Sequence, residues 1–140
     1  MDFSHLNYLA VLVCGVLIFV LGGMWYSPLL FAKKWIALMG KSEEELKAAA
    51  AASNLPLMYF SAFFSGLLVS FSLAVIITQC KDLTVPGGAL LGAVCWLGLA
   101  GATSYATGLF SMQNKQLWLI NSGYNLVSFL IAGTILAAWR

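Results

Sequence analysis

Gly22-Gly23-Met24-Trp25-Tyr26-Ser27-Pro28-Leu29-Leu30-Phe31-Ala32-Lys33-Lys34-Trp35 decides the fold. A long uncharged run ends in it, and the only well-charged part of the chain follows it. Trp25 and Tyr26 carry rings with an apolar body and a polar tip, which settle where hydrocarbon meets water. Pro28 lacks an amide hydrogen and biases Ser27 away from helical torsions, so a helix arriving from the N-terminal side ends or bends there. Ser27 as N-cap with Pro28 at the first helical position is also a good helix start. The stretch reads as a membrane-spanning helix that reaches water and turns.

Composition agrees. The 140 residues suffice for one domain; 61% are hydrophobic and only 9% charged, against roughly 25% charged in ordinary soluble domains. Uncharged stretches cover residues 6–32, 48–80, 83–114 and 116–139, each longer than the ~20 residues a helix needs to cross the hydrocarbon core. A barrel would need strands of about ten residues with alternating polarity. These stretches are continuously apolar and rich in Leu, Ala, Gly and Phe. The expected fold is an all-α membrane protein of four transmembrane helices, one domain over residues 1–140, with a short amphipathic interfacial helix between helices one and two. The spans fall at about residues 6–26, 57–79, 87–110 and 116–139, with a loop at about 27–56.

Several function classes fall away. A net charge of +2 with no dense basic cluster argues against nucleic-acid binding. Cys14, Cys80 and Cys95 have no metal-finger spacing and read as small core residues. His5 stands alone at a membrane edge, and no metal or cofactor is expected. No basic residue precedes the first apolar run, so that run is expected to stay as a span rather than be cleaved as a leader.

Taken in order, Asp2 or Ser4 is expected to cap span one, whose Gly15, Gly22 and Gly23 let another backbone approach. The short helix is expected from Pro28 to about Met39 in the headgroup plane, with Phe31, Trp35, Leu38 and Met39 on its apolar side and Gly40 ending it. Ser42 and Glu45 have capping-box spacing for a further short helix. The serines of span two read as packing groups. Span three has a Gly88/Gly92 pair continued by Ala100, Ser104 and Gly108, a stripe suited to close helix packing. The indole N–H of Trp96, near mid-span, needs an acceptor. On span four, Asn121, Tyr124, Asn125 and Ser128 share one face at three- and four-residue offsets, and that face must turn away from lipid. Lys33, Lys34, Lys41, Lys47 and Lys115 lie on one side of the membrane, against Lys81 and Arg140 on the other. Five against two predicts a cytoplasmic Lys33-to-Lys47 loop with both termini outside.

The Trp25-Tyr26-Ser27-Pro28-Leu29-Leu30-Phe31 run followed by Lys34-Trp35 resembles the opening signature of a bacterial membrane family, domain-of-unknown-function family 1761. Leu117-Trp118-Leu119-Ile120-Asn121-Ser122-Gly123-Tyr124-Asn125-Leu126-Val127 is similar to that family's last helix. Leu90-Leu91-Gly92 and Trp96-Leu97-Gly98 fit its third. Ala32 stands where the family often has glycine. The resemblance implies a small four-span protein of the bacterial inner membrane and no established activity.

The lead functional expectation is a structural or hydrophobic-ligand-binding module that self-associates or joins a larger membrane complex. Its partners would be the lipid bilayer, a second copy or another subunit, and a hydrophobic small molecule. The alternatives are a small carrier or channel for a neutral solute and an enzyme acting on a lipid or quinone-like substrate. The spans lack interior charges of the kind ion-coupled carriers use. No catalytic set is visible. The candidate ligand-binding or helix-clamping cluster is Trp25, Tyr26, Ser27, Trp118, Asn121 and Tyr124, with Asn125 one step deeper. The packing candidates are Gly22, Gly23, Gly88, Gly92, Ser104 and Gly108.

Overall fold

Among the described residues, four helices are long and apolar enough to cross a membrane: Tyr8–Trp25, Leu55–Thr78, Val85–Phe110 and Lys115–Ala138. They are called spans one to four. Two shorter helices, Ala32–Met39 and Glu43–Ala52, lie between spans one and two. The computed structural model describes residues 5–140, so Asp2 and Ser4 lie outside the described residues. The cap of span one is Asn7, whose side-chain oxygen accepts from the Ala10 amide at 3.0 Å.

The boundaries follow local chemistry. Spans two and three begin at Leu55 and Val85, earlier than residues 57 and 87, because Asn54 and Thr84 cap them. Pro56 and Pro86 sit in the first turn, where a missing N–H costs no helical bond. Asn114 caps span four. Ser42 and Glu45 form a reciprocal capping box, with Glu45 N to Ser42 Oγ at 3.1 Å and Ser42 N to Glu45 Oε2 at 2.8 Å. Gly40 ends the Ala32–Met39 helix at φ 65°, a left-handed conformation that suits glycine.

The turn after span one departs from the sequence reading. The short helix starts at Ala32, not at Pro28. Residues 27–31 instead wind around the end of span one, where the Phe31 amide donates to the Trp25 carbonyl at 3.1 Å. The Ser27 hydroxyl donates to Met24 O at 2.7 Å and accepts from Leu29 N at 3.3 Å. Ser27 therefore closes a turn instead of capping a helix.

Span three contains a wider turn that the sequence reading missed. Residues Trp96–Gly101 are wound as a π-helix, with the Ala102 amide reaching back to Leu97 O. The hydroxyls of Thr103, Ser104 and Thr107 bond to carbonyls of their own helix, as do Ser65 and Ser70 of span two. These groups are satisfied locally.

Span four is central, packing against spans one, two and three and against the Ala32–Met39 helix. It meets span three at Gly88, Gly92 and Gly133. A side-chain carbon at Gly88 would run into Gly133 O, and one at Gly92 into Phe129 O. Spans one and two meet where Gly66 faces Ile18 and the Gly15 carbonyl, with Leu67 over Gly15. The main apolar core comprises Ala10, Cys14 and Ile18, then Leu73, Ala74 and Ile77, with Cys95, Ala132 and Leu136. Most of it lies toward the end carrying Arg140. There Arg140 donates to Cys80 O at 3.2 Å and Leu83 O at 2.7 Å, and Asn7 Nδ2 donates to Trp139 O at 3.1 Å. At the opposite, Trp35-bearing end, Leu57, Met58, Tyr59 and Phe60 of span two are exposed, as are Leu109 and Phe110 of span three.

Candidate functional site

The hydrogen-bonded aromatic cluster lies in the exposed half of the bundle. On the face of span four that continues Leu136, Ala132 and Ser128 stand Asn125 and then Asn121, at helical offsets of three and four. Asn121 is six residues in from Lys115, about 9 Å along the axis at 1.5 Å per residue. Its side-chain oxygen accepts from Tyr26 Oη at 2.9 Å and from Trp35 Nε1 at 3.2 Å. An indole N–H only donates, so the amide oxygen must be the atom facing Trp35. The amide nitrogen finds no acceptor among the described residues.

Aromatic packing holds this arrangement. Tyr26 meets Trp35 edge-on with ring centres 5.4 Å apart and lies 5.7 Å from Tyr124. Trp25 packs on Phe31 at 4.8 Å and on Tyr124 at 6.4 Å. The polar tips then reach backbone: Trp25 Nε1 donates to Ile120 O at 3.0 Å and Tyr124 Oη to Ile18 O at 3.1 Å. Two glycines make room. A side-chain carbon at Gly22 would stand 3.3 Å from Tyr124 Oη, and one at Gly123 3.3 Å from Trp25 Cζ2.

Beside the cluster runs a groove of about 830 Å³. Phe19, Val20, Gly22, Gly23 and Tyr26 of the span-one side form one wall, and Met58 and Tyr59 of span two the other. Trp35 and Asn121 complete the lining. Nothing lies within 4 Å of where a side chain at Gly23 would begin, so this glycine faces the groove rather than a neighbouring helix.

The other candidate residues are placed apart. Ser27 closes its turn. Trp118 turns to span three, donating to Ser104 Oγ at 3.1 Å and meeting Tyr105 edge-on at 5.0 Å. Gly108 lies close by, where a side-chain carbon would meet Gln113 Oε1 at 3.1 Å and Trp118 Cδ1 at 3.9 Å. Trp96 finds its acceptor in Ser122 O at 3.0 Å. The Ser122 hydroxyl is the only buried side-chain polar atom without a partner among the described residues. Asn125, half-buried near mid-span, makes no hydrogen bond among them.

Sequence reasoning missed Trp35 as part of the site, because nothing in the spacing says that the short helix folds back onto span four. An indole N–H and an Asn amide, each in apolar surroundings and each in need of a partner, were the signal that could have paired them. The residues gathered here offer hydrogen bonds and apolar walls. Both tyrosine hydroxyls and the Ser27 hydroxyl donate to amide or backbone oxygens, so none is paired with a general base.

The family model described as "Protein of unknown function (DUF1761)" matches residues 9–137, and the chain belongs to that family. No curated protein and no solved structure matches the chain.

Proposed function

We propose that this multi-pass membrane protein binds a hydrophobic small molecule in the groove between spans one and two. The observation that carries the reading is the groove of about 830 Å³, whose walls are apolar and aromatic and whose lining includes one amide. Apolar pockets of roughly 300–1,000 Å³ with few polar groups are the usual form of small-molecule sites. The lysine distribution supports an orientation in which the Lys33, Lys34, Lys41 and Lys47 loop is cytoplasmic and both termini are outside, and the family resemblance suggests the bacterial inner membrane as the setting. In that setting the Ala32–Met39 helix lies at the cytoplasmic interface and the groove opens at the inner leaflet. The test is purification in mild detergent followed by mass spectrometry of retained small molecules. A stoichiometric hydrophobic species is expected in the native protein and is expected to be lost when Gly23→Leu fills the groove. Equal retention by the two chains sinks the reading.

A second reading, self-association or entry into a larger complex, is favoured by Asn125. A carboxamide near the middle of a span, with no partner among the described residues, gains from an acceptor on another helix. Cross-linking in intact membranes tests it. Dimer yield is expected to fall in Asn125→Leu, and an unchanged yield removes the argument. A carrier or enzyme role has no comparable observation behind it.

A further inference from the structure

The groove reading leaves open what chemistry the ligand presents. Resting on that reading, we infer that the ligand is a neutral amphiphile that offers a carbonyl oxygen to the Asn121 amide nitrogen. The oxygen side of the carboxamide is taken by Tyr26 and Trp35, at 2.9 Å and 3.2 Å, and the donor-only indole fixes which side that is. Asn121 lines the groove, and its –NH2, a donor, is the part of the carboxamide with no bond among the described residues, so it is what is left for a ligand. A hydrocarbon in the groove would cover that donor without pairing it, which is unfavourable in an apolar site. A ligand hydroxyl can also accept from it, but its own hydrogen then needs an acceptor in turn, whereas a carbonyl brings no hydrogen to place.

Charge narrows the class further. No Lys or Arg lines the groove. A carboxylate or phosphate buried there would lack a counter-charge, whereas a neutral carbonyl needs only the one N–H. The apolar walls suit a chain or ring system, and the position of Asn121, about 9 Å in from Lys115, sets the carbonyl below the polar surface. Two sources share this chemistry: the acyl ester of a membrane lipid and the ring carbonyl of a quinone-like molecule.

The experiment uses the whole chain in nanodiscs of diether phospholipid, which contains no carbonyl. Three probes are titrated: a diester phosphatidylcholine, a decyl-substituted benzoquinone, and decylbenzene, which has no oxygen. Binding is read as an apparent Kd and as the shift of the ¹⁵N-labelled Asn121 side-chain amide. At least one carbonyl probe is expected to bind about tenfold more tightly than decylbenzene, equivalent to ~1.4 kcal/mol, and to move the Asn121 signal. The probe showing the gap identifies the source. Asn121→Asp, titrated at a pH high enough to ionise its carboxyl, keeps oxygens for Tyr26 and Trp35 but has no hydrogen to give, so it is expected to abolish the gap. If that chain does not fold, the Asn121 signal of the native chain decides alone. Equal affinity for all three probes, or a gap that survives in Asn121→Asp, overturns the inference while leaving the groove reading intact. Binding of none of the three overturns the groove reading itself.

Discussion

The two ends of the bundle are held by different physics. Toward Arg140, glycines bring spans three and four into backbone contact, and Leu73, Ile77, Ala132 and Leu136 fill the space between helices. Toward Trp35, span two carries exposed Leu57, Met58, Tyr59 and Phe60, and order comes from ring contacts and directed hydrogen bonds centred on Asn121. Lipid tails are as apolar as a leucine, so helices in a bilayer associate through close packing and polar bonds rather than by escaping water. One end uses the first device and the other the second. Dense packing excludes a ligand, whereas a few directed bonds leave a groove beside them.

The comparison breaks most visibly at Gly92. Gly92→Leu drives a side chain into Phe129 O and is expected to cost about 3 kcal/mol, the upper range for overpacking. Reversible unfolding in mixed micelles measures it, and a chain as stable as the parent would mean that the glycine contact does not hold the two spans. Leu73→Ala, at a residue 1% exposed, is expected to cost about 2 kcal/mol, the low end for a cavity of this size, since a lipid-exposed reference gives back part of the transfer term. Its counterpart Phe64→Ala, at a residue 48% exposed, is expected to change stability by less than about 0.5 kcal/mol. Equal costs at the two positions would erase the distinction between the ends.

Smaller effects sharpen it. Tyr124→Phe removes the bond to Ile18 O while keeping the ring, and about 0.6 kcal/mol is expected, the average for interhelical hydrogen bonds in membranes. Gly23→Ala is expected to be neutral or slightly stabilising, because the position is open and alanine is the better helix former. The methyl group nonetheless enters the groove, so ligand retention is expected to drop where stability does not. A matching loss of stability would mean that span one needs that glycine for packing.

Much of this was legible in the sequence because it is written in local signals. Four uncharged stretches, the Ser42–Glu45 spacing and Gly40 each act over a few residues, and the helices follow them. The Gly88/Gly92 pair marked a close contact, although only the fold identifies Gly133 as what it meets. The candidate cluster was legible in part. Trp25, Tyr26, Asn121 and Tyr124 come together, while Trp118 turns to Ser104 and Ser27 to its own turn. The difference lies in which side of span four each residue occupies relative to its neighbours, and helical offsets within one span cannot supply that. Pro28 was read as a helix start because Ser-Pro often is one. The competing bond from Phe31 N to Trp25 O depends on span one already being in place.

The wide turn at Trp96–Gly101 has a consequence in counting rather than contact. Positions four apart run ahead of an α-helix by about 40° per step, so the five steps from Gly88 through Trp96 to Gly108 drift about 200°. One extra residue in a π-type turn gives back about 100° of that drift. Gly92 before the turn and Ser104 after it therefore both address span four. Gly98, with nothing within 4 Å of its missing side chain, is replaceable in kind. Its deletion would swing the far half of the helix out of phase, so this segment is constrained in length more than in lettering.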